Sequence, residues 1–448
     1  MRVSVFLFWI STALAIAVFG VSLVDSEIAG LNGRIAREVS EKVKGARVWF
    51  VSIASELPEL LKRLSTGEID VLVGVWRSGF EGLVFSDYPV YAVNHYLIHR
   101  TGEKPPRKIG VLDNTEAESL VRRLSDHEPM VYDDATRMIE DLENERLDAV
   151  LIDSIRAKAI LKNLKGLEYK RVFGKSYRFL ALSPKTADQF LEKIDSALKG
   201  MYRDDTLKEI INDLDLGESV MPPDELLFVN SEWPPYEYLE SGEWKGTDVE
   251  VLKAVLNRMG YEIEIKECPW LRCLEMIRTG IADGTFTLER TKDREEYMIF
   301  SDEPISYGRD VLFHLRGLKV DFSMPGDYRC GYVPGYAYQE YLKRIGFKLV
   351  KVRDDETGMR LVSMGRLDLF MADLNVGIYY ARKLGILDRI SWTKPLRMYP
   401  SYVAFSRILH HRALARDFSK ELRAFKREGG YLGIFREYDL LKIRGVGR

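Results

Sequence analysis

The sequence is poor in the residues that mark several large classes of protein. Its 448 residues include three cysteines and six histidines. So few cysteines exclude a small fold stapled by disulfides, and the histidines show no HExxH or other metal-ligand spacing. Neither sign of charge predominates, with 66 Lys and Arg against 68 Asp and Glu, so the basic face of a dedicated nucleic-acid binder is missing. What remains is a large, neutral, globular chain of at least two domains, which we expect to need no metal and no cofactor.

A long apolar run occurs only at the N-terminus, at residues 3–24, behind the initiator methionine and one arginine. This pattern is typical of a secretory signal peptide and predicts cleavage near Gly20. The alternative is an uncleaved membrane anchor, because the run is nearly long enough to span a bilayer. Export to an oxidising compartment permits a disulfide, and Cys268 with Cys273 is the best pair, which would leave Cys330 as a buried thiol.

Internal repetition is the strongest pattern in the sequence. Four segments of the first half recur in the same order in the second half, and their separation grows slowly from 205 to 220 residues. A tandem duplication with a few small insertions produces such a pattern. We therefore predict two copies of one domain. The matched segments are 24–27 with 229–232, 66–70 with 279–283, 84–89 with 299–304, and 146–153 with 366–373.

The repeat sets the expected domain boundaries. Because residues 21–25 align with the opening strand of the second copy at 226–230, we expect the mature first copy to need that strand. In both copies, segments typical of strands alternate with segments typical of helices, which predicts an α/β fold with largely parallel sheets. The predicted parts are a signal peptide at 1–20, a first copy at 21–217, a linker at 218–224, a second copy at 225–441 and a tail at 442–448.

Short motifs follow one another through the second copy in a recognisable order. They are Trp233-Pro234-Pro235-Tyr236, a helix after Gly246 that Thr247 and Glu250 are expected to open as a capping box, residues 280–283, 290–294, Phe300-Ser301-Asp302, 331–335, 365–373, and a closing helix that ends near Tyr438. In this order and spacing, the copy resembles the family 3 bacterial extracellular solute-binding proteins, the periplasmic binders of polar amino acids. The first copy resembles them from residue 21 to about 216, with gaps.

The resemblance implies a fold and a mode of action. Each copy would consist of two α/β lobes, joined by crossing strands, that close over a small molecule held between them. The expected crossing segments are 304–315 and 399–406 in the second copy, and 88–99 and 176–183 in the first. The location implied is the periplasm.

The resemblance also implies ligand-binding residues in the second copy. The family has an arginine six residues before the phenylalanine of its Phe-Ser-Asp segment, and Arg294 stands six before Phe300. A guanidinium suits a carboxylate, because its planar fork makes two parallel hydrogen bonds. The family also has an aspartate five residues after the one that opens a buried strand, and Asp373 stands five after Asp368. We expect Asp373 to accept the ammonium of the ligand, with a helix N-cap as its alternative role.

Two further groups are candidates for the same site. Gly335 and Tyr336 are expected to open a helix whose free N–H groups favour an anion, with an ordinary turn as the alternative. Trp233, Tyr236 and Phe286 are candidate apolar walls for the side chain of the ligand, although aromatic residues of this kind lie more often in the core.

The first copy departs from the pattern. It lacks the loop that carries Trp233, and Gly79 stands where the anchoring arginine is expected, although Arg77 could partly substitute. Asp153, the counterpart of Asp373, is retained. The hypothesis is that the first copy has lost amino-acid binding and serves as a scaffold, as a partner surface or as a binder of something different.

Three functions compete at this point. The first is a periplasmic binder that delivers a polar amino acid or similar zwitterion to an ABC importer. The second is a sensory or interaction module that reports ligand to a membrane receptor. The third is an enzyme, since some lytic transglycosylases resemble this domain with a catalytic domain appended. Only about ten residues follow the closing helix, and the chain has no GxSxG, P-loop or Cys–His nucleophile signature, so we expect a binding protein without enzymatic activity.

Overall fold

The computed structural model describes residues 26–50, 57–77, 80, 82–100, 106–113, 115–124, 128–161, 167–214, 216 and 219–438. The predicted signal peptide and tail lie outside these residues. The chain divides into two compact units, of which one ends at Glu225 and the other begins at Leu226. We call them the first and the second domain. Among the helices of the described segments, none has both the length and the apolar character to cross a bilayer.

Helices and strands alternate through the first domain, as the sequence predicts. Its sheet has the order β1-β2-β8-β4-β7-β5-β6, with β3 paired to β8. The helices are α1 (Ser26–Lys42), α2 (Leu57–Thr66), α3 (Glu116–Leu124), α4 (Ala135–Glu143), α5 (Ser154–Leu161), α6 (Ala187–Arg203) and α7 (Thr206–Asp213). The strands are β1 (Val48–Phe50), β2 (Val71–Val75), β3 (Val84–Phe85), β4 (Tyr91–Arg100), β5 (Ile109–Leu112), β6 (Met130–Tyr132), β7 (Ala149–Asp153) and β8 (Leu167–Leu182).

The second domain follows a similar plan around a sheet of order β12-β9-β13-β20-β15-β18-β16-β17. The helices are α8 (Thr247–Arg258), α9 (Trp270–Arg278), α10 (Lys292–Glu295), α11 (Gln339–Ile345), α12 (Asp355–Ser363), α13 (Leu374–Lys383), α14 (Arg412–Arg427) and α15 (Gly430–Glu437). The strands are β9 (Glu225–Asn230), β10 (Tyr238–Glu240), β11 (Glu243–Lys245), β12 (Glu262–Glu267), β13 (Gly284–Leu288), β14 (Met298–Phe300), β15 (Ser306–Leu315), β16 (Arg329–Tyr332), β17 (Lys348–Lys351), β18 (Leu369–Asp373), β19 (Ile390–Trp392) and β20 (Arg397–Ser406).

Two long strands join the lobes of the second domain. β20 pairs with β13 and β14 of the first lobe, while β15 pairs with β18 and β19 of the second lobe, and the two strands pair with each other. They lie where the sequence predicts the crossing segments. Their pairing is antiparallel, whereas β9 with β13 and β16 with its two neighbours are parallel. The sheet is therefore mixed, because two strands that run out and back through its centre must point in opposite directions.

The strand beside β2 in the first domain differs in chain position from the strand beside β13 in the second domain. In the second domain β9 lies next to β13, whereas in the first domain β2 has β1 and β8 as its two neighbours. Since β1 follows α1 in the chain, the strand after the first helix takes the place beside β2 that β9 takes beside β13. Residues 21–25, which the sequence predicts to open this domain as a strand, lie outside the described segments.

Apolar side chains cover both faces of the sheet in the second lobe. Phe313, Phe370 and Met359 belong to the cluster on one face, and Leu312, Leu369 and Met371 to the cluster on the other, all fully buried. Because successive residues of a strand point to opposite faces, the apolar run at 369–372 contributes to both clusters. A strand buried on both sides brings its last residue, Asp373, to the interior of the domain.

The loop before α8 has a conformation that only glycine adopts readily. Gly246 is the N-cap of α8, with φ +123° and ψ 162°, and makes no side-chain cap. The predicted capping box is therefore wrong, because the N-cap residue is Gly246 and not Thr247. A Cβ on Gly246 would lie 2.2 Å from the carbonyl oxygen of Tyr236. This close approach holds the segment that contains Tyr236 and Glu237 against the start of the helix.

A carboxyl group at the start of α8 is fully buried. Asp248 accepts hydrogen bonds from Ser306 Oγ at 2.5 Å and from Thr287 Oγ1 at 3.0 Å. Burial raises the pKa of Asp248 to about 6, although these hydroxyl donors oppose the rise. The folded protein thus holds this proton more tightly than the unfolded chain.

Replacing Asp248 by asparagine should change how stability depends on pH. In wild type, the free energy of unfolding that this group contributes falls as the pH rises from about 4 to about 6, by about 3 kcal/mol, and then levels off. Asparagine does not titrate. The free energy of unfolding of Asp248→Asn, measured relative to wild type, should therefore increase by about 3 kcal/mol between pH about 4 and pH about 7.5. Urea unfolding at both pH values measures it, and a difference that is independent of pH contradicts the assignment.

Candidate functional site

A cavity with about 500 Å³ of empty space, partly open to solvent, lies between the lobes of the second domain. Clefts of this kind are where small-molecule sites usually form. Both lobes and the two crossing strands contribute to its walls. The lining residues are Asn230, Ser231, Trp233, Glu237, Trp270, Thr287, Leu288, Glu289 and Arg294 from the first lobe, Tyr336, Ala337 and Tyr338 from the second, and Asp310, Arg397 and Tyr399 from the crossing strands.

Arg294 lies in the wall of this cavity with only 6% of its surface exposed. The hydroxyl of Thr291 caps the short helix α10 and accepts a hydrogen bond from the backbone N–H of Arg294, which fixes where the side chain begins. Nη1 donates to the carbonyl oxygen of Glu289 at 2.6 Å, and Nη2 donates to that of Gly335 at 2.9 Å. In the described part of the chain, no carboxylate forms an ion pair with this guanidinium. Burial lowers the pKa of Arg294.

The two lobes meet at the carbonyl oxygen of Gly335. Besides Arg294, it accepts a hydrogen bond from Trp270 Nε1 at 3.2 Å. Gly335 does not open a helix, since α11 begins at Gln339, so the expected anion site made of free N–H groups is wrong. Gly335 has φ +84° in a turn, and a Cβ there would lie 2.7 Å from the Leu271 side chain. The turn alternative is the one observed, and the backbone group that it presents to Arg294 is an acceptor.

Arg397 forms a second charged group in the cavity together with two carboxyl groups. Its Nη2 donates to Glu289 Oε2, and its Nη1 lies 3.2 Å from Asp310 Oδ2. Asp310 and Arg397 face each other in the antiparallel pairing of β15 and β20. Asp310 is 1% exposed, and burial raises the pKa of its carboxyl well above its usual value, although Arg397 opposes the rise. The Arg397 guanidinium therefore forms ion pairs with both carboxyl groups.

Glu237 adds a third carboxyl group to the lining. It is 2% exposed, and its Oε2 has no hydrogen-bond partner. Burial, and then the nearby Asp248, raise the pKa of Glu237 well above its usual value. Sequence reasoning did not select Glu237, Glu289, Asp310 or Arg397. Glu237 directly follows the motif Trp233-Pro234-Pro235-Tyr236, so the sequence could have indicated it. No motif marks the other three residues.

Asp373 lies outside the cavity lining. Its Oδ1 accepts hydrogen bonds from the backbone N–H groups of Asn375 and Val376 and from the hydroxyl of Tyr236, and its Oδ2 accepts one from Arg309 N at 2.7 Å. It is thus the N-cap of α13, which is the alternative that the sequence left open. The arrangement satisfies both oxygens internally, so we do not assign the ligand's ammonium to Asp373.

The predicted aromatic walls divide between the cavity and the core. Of the three, Trp233 lines the cavity, and so does Tyr336, which the sequence assigned to the expected helix start; their ring centroids lie 6.3 Å apart. The hydroxyl of Tyr336 donates to Asp355 Oδ2 at 2.9 Å. Tyr236 and Phe286 are buried instead, Tyr236 behind Trp233 and Phe286 against Phe228, and neither lines the cavity.

A disulfide joins Cys268 to Cys273, which lie on either side of the cavity residue Trp270 in the sequence. It ties the loop before α9 to the first turns of that helix, whose first residue is the cavity residue Trp270. Cys330 is a buried free thiol, and burial raises its pKa to about 12. Within the described segments, no cluster of three or more His, Cys, Asp and Glu side chains could hold a metal ion.

The corresponding positions of the first domain are occupied by a paired set of charges. His95 faces Asp153 across two strands, just as Asp310 faces Asp373 in the second domain. Nearby, Arg178 Nη1 donates to Glu116 Oε2 at 2.8 Å, and these side chains are only 9% and 11% exposed. Burial alone would raise the pKa of Glu116, but the positive charge of Arg178 opposes this effect, and the pKa of Glu116 is lowered. Here, in contrast to Arg294, a buried guanidinium already has its carboxylate.

Arg77, the possible substitute for the anchoring arginine, makes contacts different from those of Arg294. Its guanidinium lies 4.2 Å from the ring centroid of Phe179 and donates to the carbonyl oxygen of Ser86. Gly79 lies outside the described residues.

Residues 227–439 match the family model of bacterial extracellular solute-binding proteins, family 3. The second half of the chain is a solute-binding domain of this family. The α/β fold with two lobes joined by crossing strands, as in type II periplasmic binding proteins, is thus confirmed.

Individual relatives match shorter parts of the solute-binding domain. The probable ABC transporter extracellular-binding protein YckB of Bacillus subtilis is 29% identical over 160 residues, which are 34% of this chain and 53% of that protein. A probable histidine-binding protein of Neisseria gonorrhoeae is 33% identical over 96 residues, which are 21% of this chain and 35% of that protein. The chain thus spans about half the length of the first relative and a third of the second.

Among solved structures, a histidine kinase sensor domain with similarity to periplasmic binding proteins is 19% identical, with a TM-score of 0.44. The match covers 47% of this chain and 93% of that one.

Proposed function

We propose that the solute-binding domain captures an amino acid or a similar small zwitterion in the cavity between its lobes. The observation that carries this proposal is Arg294, a buried guanidinium without a carboxylate partner in the described part of the chain. A charge taken out of water is costly unless an opposite charge meets it. A ligand carboxylate in the cavity would supply that charge.

The geometry around Arg294 suits a carboxylate in particular. A guanidinium has five N–H donors, and backbone carbonyls accept from Nη1 and Nη2. The remaining donors form part of the planar fork that binds two carboxylate oxygens in parallel. The Trp270 ring lies 5.5 Å from Arg294 Cζ, measured to the ring centroid, which is close enough for a cation–π contact.

The opposite end of the ligand has acceptors in the same cavity. Glu237 and Asp310 each present a buried carboxyl oxygen that accepts no hydrogen bond. An ammonium group placed there would satisfy them and compensate for their burial. The proposal therefore assigns the ammonium to these carboxyl groups and leaves Asp373 the role of a helix cap.

For the whole protein, we propose capture in the periplasm for an ABC importer, without enzymatic activity. YckB, named as a probable transporter-binding protein, is similar to this domain. A second candidate is ligand sensing, with the first domain as a scaffold. The Arg178–Glu116 pair favours the scaffold role, because the charges there already satisfy each other.

Thermal unfolding of the mature protein with a panel of amino acids, polyamines and organic acids tests the proposal. A ligand that binds the folded state stabilises it by RT ln(1 + [L]/Kd), about 2.7 kcal/mol at a hundred times Kd. We expect amino acids to raise the melting temperature in proportion to the logarithm of their concentration, and the matching amines that lack a carboxylate to have no effect. A panel in which no amino acid shifts the melting temperature contradicts the proposal.

A further inference from the structure

Residues near the end of the first domain are fastened to one of its crossing strands. Met221 and Ala92 form an isolated antiparallel bridge, in which the N–H of each donates to the carbonyl oxygen of the other at 2.9 Å. The side-chain amide of Asn94 also donates to Met221 Sδ at 3.5 Å. Val220, which precedes Met221, is 2% exposed. We call residues 219–221 the strap.

The strap lies at the hinge of the first domain. β8 pairs with β2 and β3 in the first lobe, β4 pairs with β7 in the second lobe, and β4 and β8 pair with each other. The strap follows α7, which packs with α6 against α1 and so belongs to the first lobe. Ala92 lies on β4, just before the pairing of β4 with β7 begins at His95. A segment that leaves the first lobe is therefore bound to a strand that leads into the second.

A serine of the second lobe extends these contacts. Ser154 follows β7 as the first residue of α5, and it is buried. Its hydroxyl donates to the carbonyl oxygen of Ser219 and accepts a hydrogen bond from the backbone N–H of Asn94 at 3.2 Å. One hydroxyl group thus ties the strap both to the second lobe and to the crossing strand β4.

The equivalent place in the second domain is exposed. Ala92 lies three residues before the residue of β4 that faces Asp153. Tyr307 has the same place on β15, three residues before the one that faces Asp373. Ala92 is fully buried, whereas Tyr307 is 62% exposed. In the segments that the structure describes, the strap is thus a feature of the first domain alone.

We propose that the strap holds the two lobes of the first domain in one arrangement and so keeps this domain from opening and closing. Movement at a hinge requires the lobes to rotate relative to each other. A rotation that carries Ser154 away from α7 has to break its bond to Ser219 or the bridge between Met221 and Ala92, and buried backbone groups would lose their partners. The inference goes beyond the proposed function, because it concerns the first domain and requires no ligand.

Double electron–electron resonance on the full-length mature protein tests this without any ligand. Spin labels at Lys62→Cys on α2 and Glu140→Cys on α4 report the distance between the two lobes, and both positions are exposed. The native cysteines do not take up the label, since Cys268 and Cys273 are joined and Cys330 is buried. With the strap intact, we expect a single narrow distance distribution.

Met221→Pro removes one of the two hydrogen bonds of the bridge, because proline has no backbone N–H. We expect a second population at a different distance. The amide of Ala92 should also exchange with solvent ~tenfold faster or more, as measured by mass spectrometry, because local opening exposes it. Ser154→Ala should produce both effects to a smaller degree. Met221→Leu is the matched control, since it keeps the backbone bridge and an apolar side chain, and it should behave as wild type.

Two results would overturn the proposal. One is the presence of two distances in the labelled protein that carries no further change, because the lobes would then move despite the strap. The other is a single unchanged distance in both Met221→Pro and Ser154→Ala, with unchanged exchange at Ala92. If circular dichroism shows that Met221→Pro does not fold, Ser154→Ala decides alone, since it removes a single oxygen. Neither result touches the proposed function, which the thermal panel tests separately.

Discussion

Replacing Arg294 by methionine is expected to weaken amino-acid binding strongly and to leave the unliganded protein at least as stable as wild type. Methionine has a similar length and keeps the contact with Trp270, but it brings no charge that must be desolvated. Removing one partner of a buried, hydrogen-bonded charge pair costs about 2–5 kcal/mol of binding free energy. Affinity should therefore fall between about thirtyfold and a few thousandfold.

Titration calorimetry and thermal unfolding of the same samples separate the two effects. Arg290→Met is the control, because Arg290 is exposed four residues away and pairs with Glu295 at the surface. Arg294→Lys should recover part of the affinity, since it restores the charge without the planar fork. Wild-type affinity in Arg294→Met would mean that the carboxylate binds elsewhere, and a large loss of unliganded stability would mean that Arg294 is mainly structural.

Replacing Gly246 by alanine is expected to destabilise the second domain more than other small changes in its loops. The backbone conformation of Gly246 is accessible almost only to glycine, and the new Cβ would lie 2.2 Å from the carbonyl oxygen of Tyr236. Backbone atoms on both sides have to move, so we expect a loss of about 3 kcal/mol or more in the free energy of unfolding. Since Tyr236 precedes Glu237, affinity for the ligand should fall as well.

Gly242→Ala provides the comparison for this change. Gly242 also has positive φ, at +84°, but a Cβ there meets nothing within 4 Å. Only the intrinsic cost of the left-handed conformation applies, about 1 kcal/mol. Thermal unfolding of the two variants should therefore differ clearly, and equal melting temperatures would show that the contact with Tyr236 relaxes at little cost.

Much of the fold could be predicted because it follows from patterns within short stretches of sequence. The crossing strands, the buried run before Asp373 and the pair Cys268–Cys273 each lie in one such stretch. The arrangement of β1 beside β2 could not be predicted, because the pairing of strands that are distant in the sequence depends on packing and not on a local pattern. The mixed character of the sheet has the same origin, since it depends on how distant strands pair.

The candidate site was predictable only where a motif marks a residue. The spacing to Phe300 marks Arg294, and the structure places it in the cavity wall. Asp373 shows the limit of the approach, because a carboxylate after a buried strand can cap the next helix or face a ligand with the same local sequence. Glu289, Asp310 and Arg397 are ordinary charged residues in the sequence. Their role depends on burial and on contacts over as many as 108 residues.

The hydrogen bond from the Trp270 indole to the carbonyl oxygen of Gly335 gives the domain an intrinsic optical reporter. The donor belongs to one lobe and the acceptor to the other. Separation of the lobes would break this bond and admit water to the ring, and indole emission responds strongly to both changes. Fluorescence spectroscopy would therefore report such a separation without a dye attached to the protein.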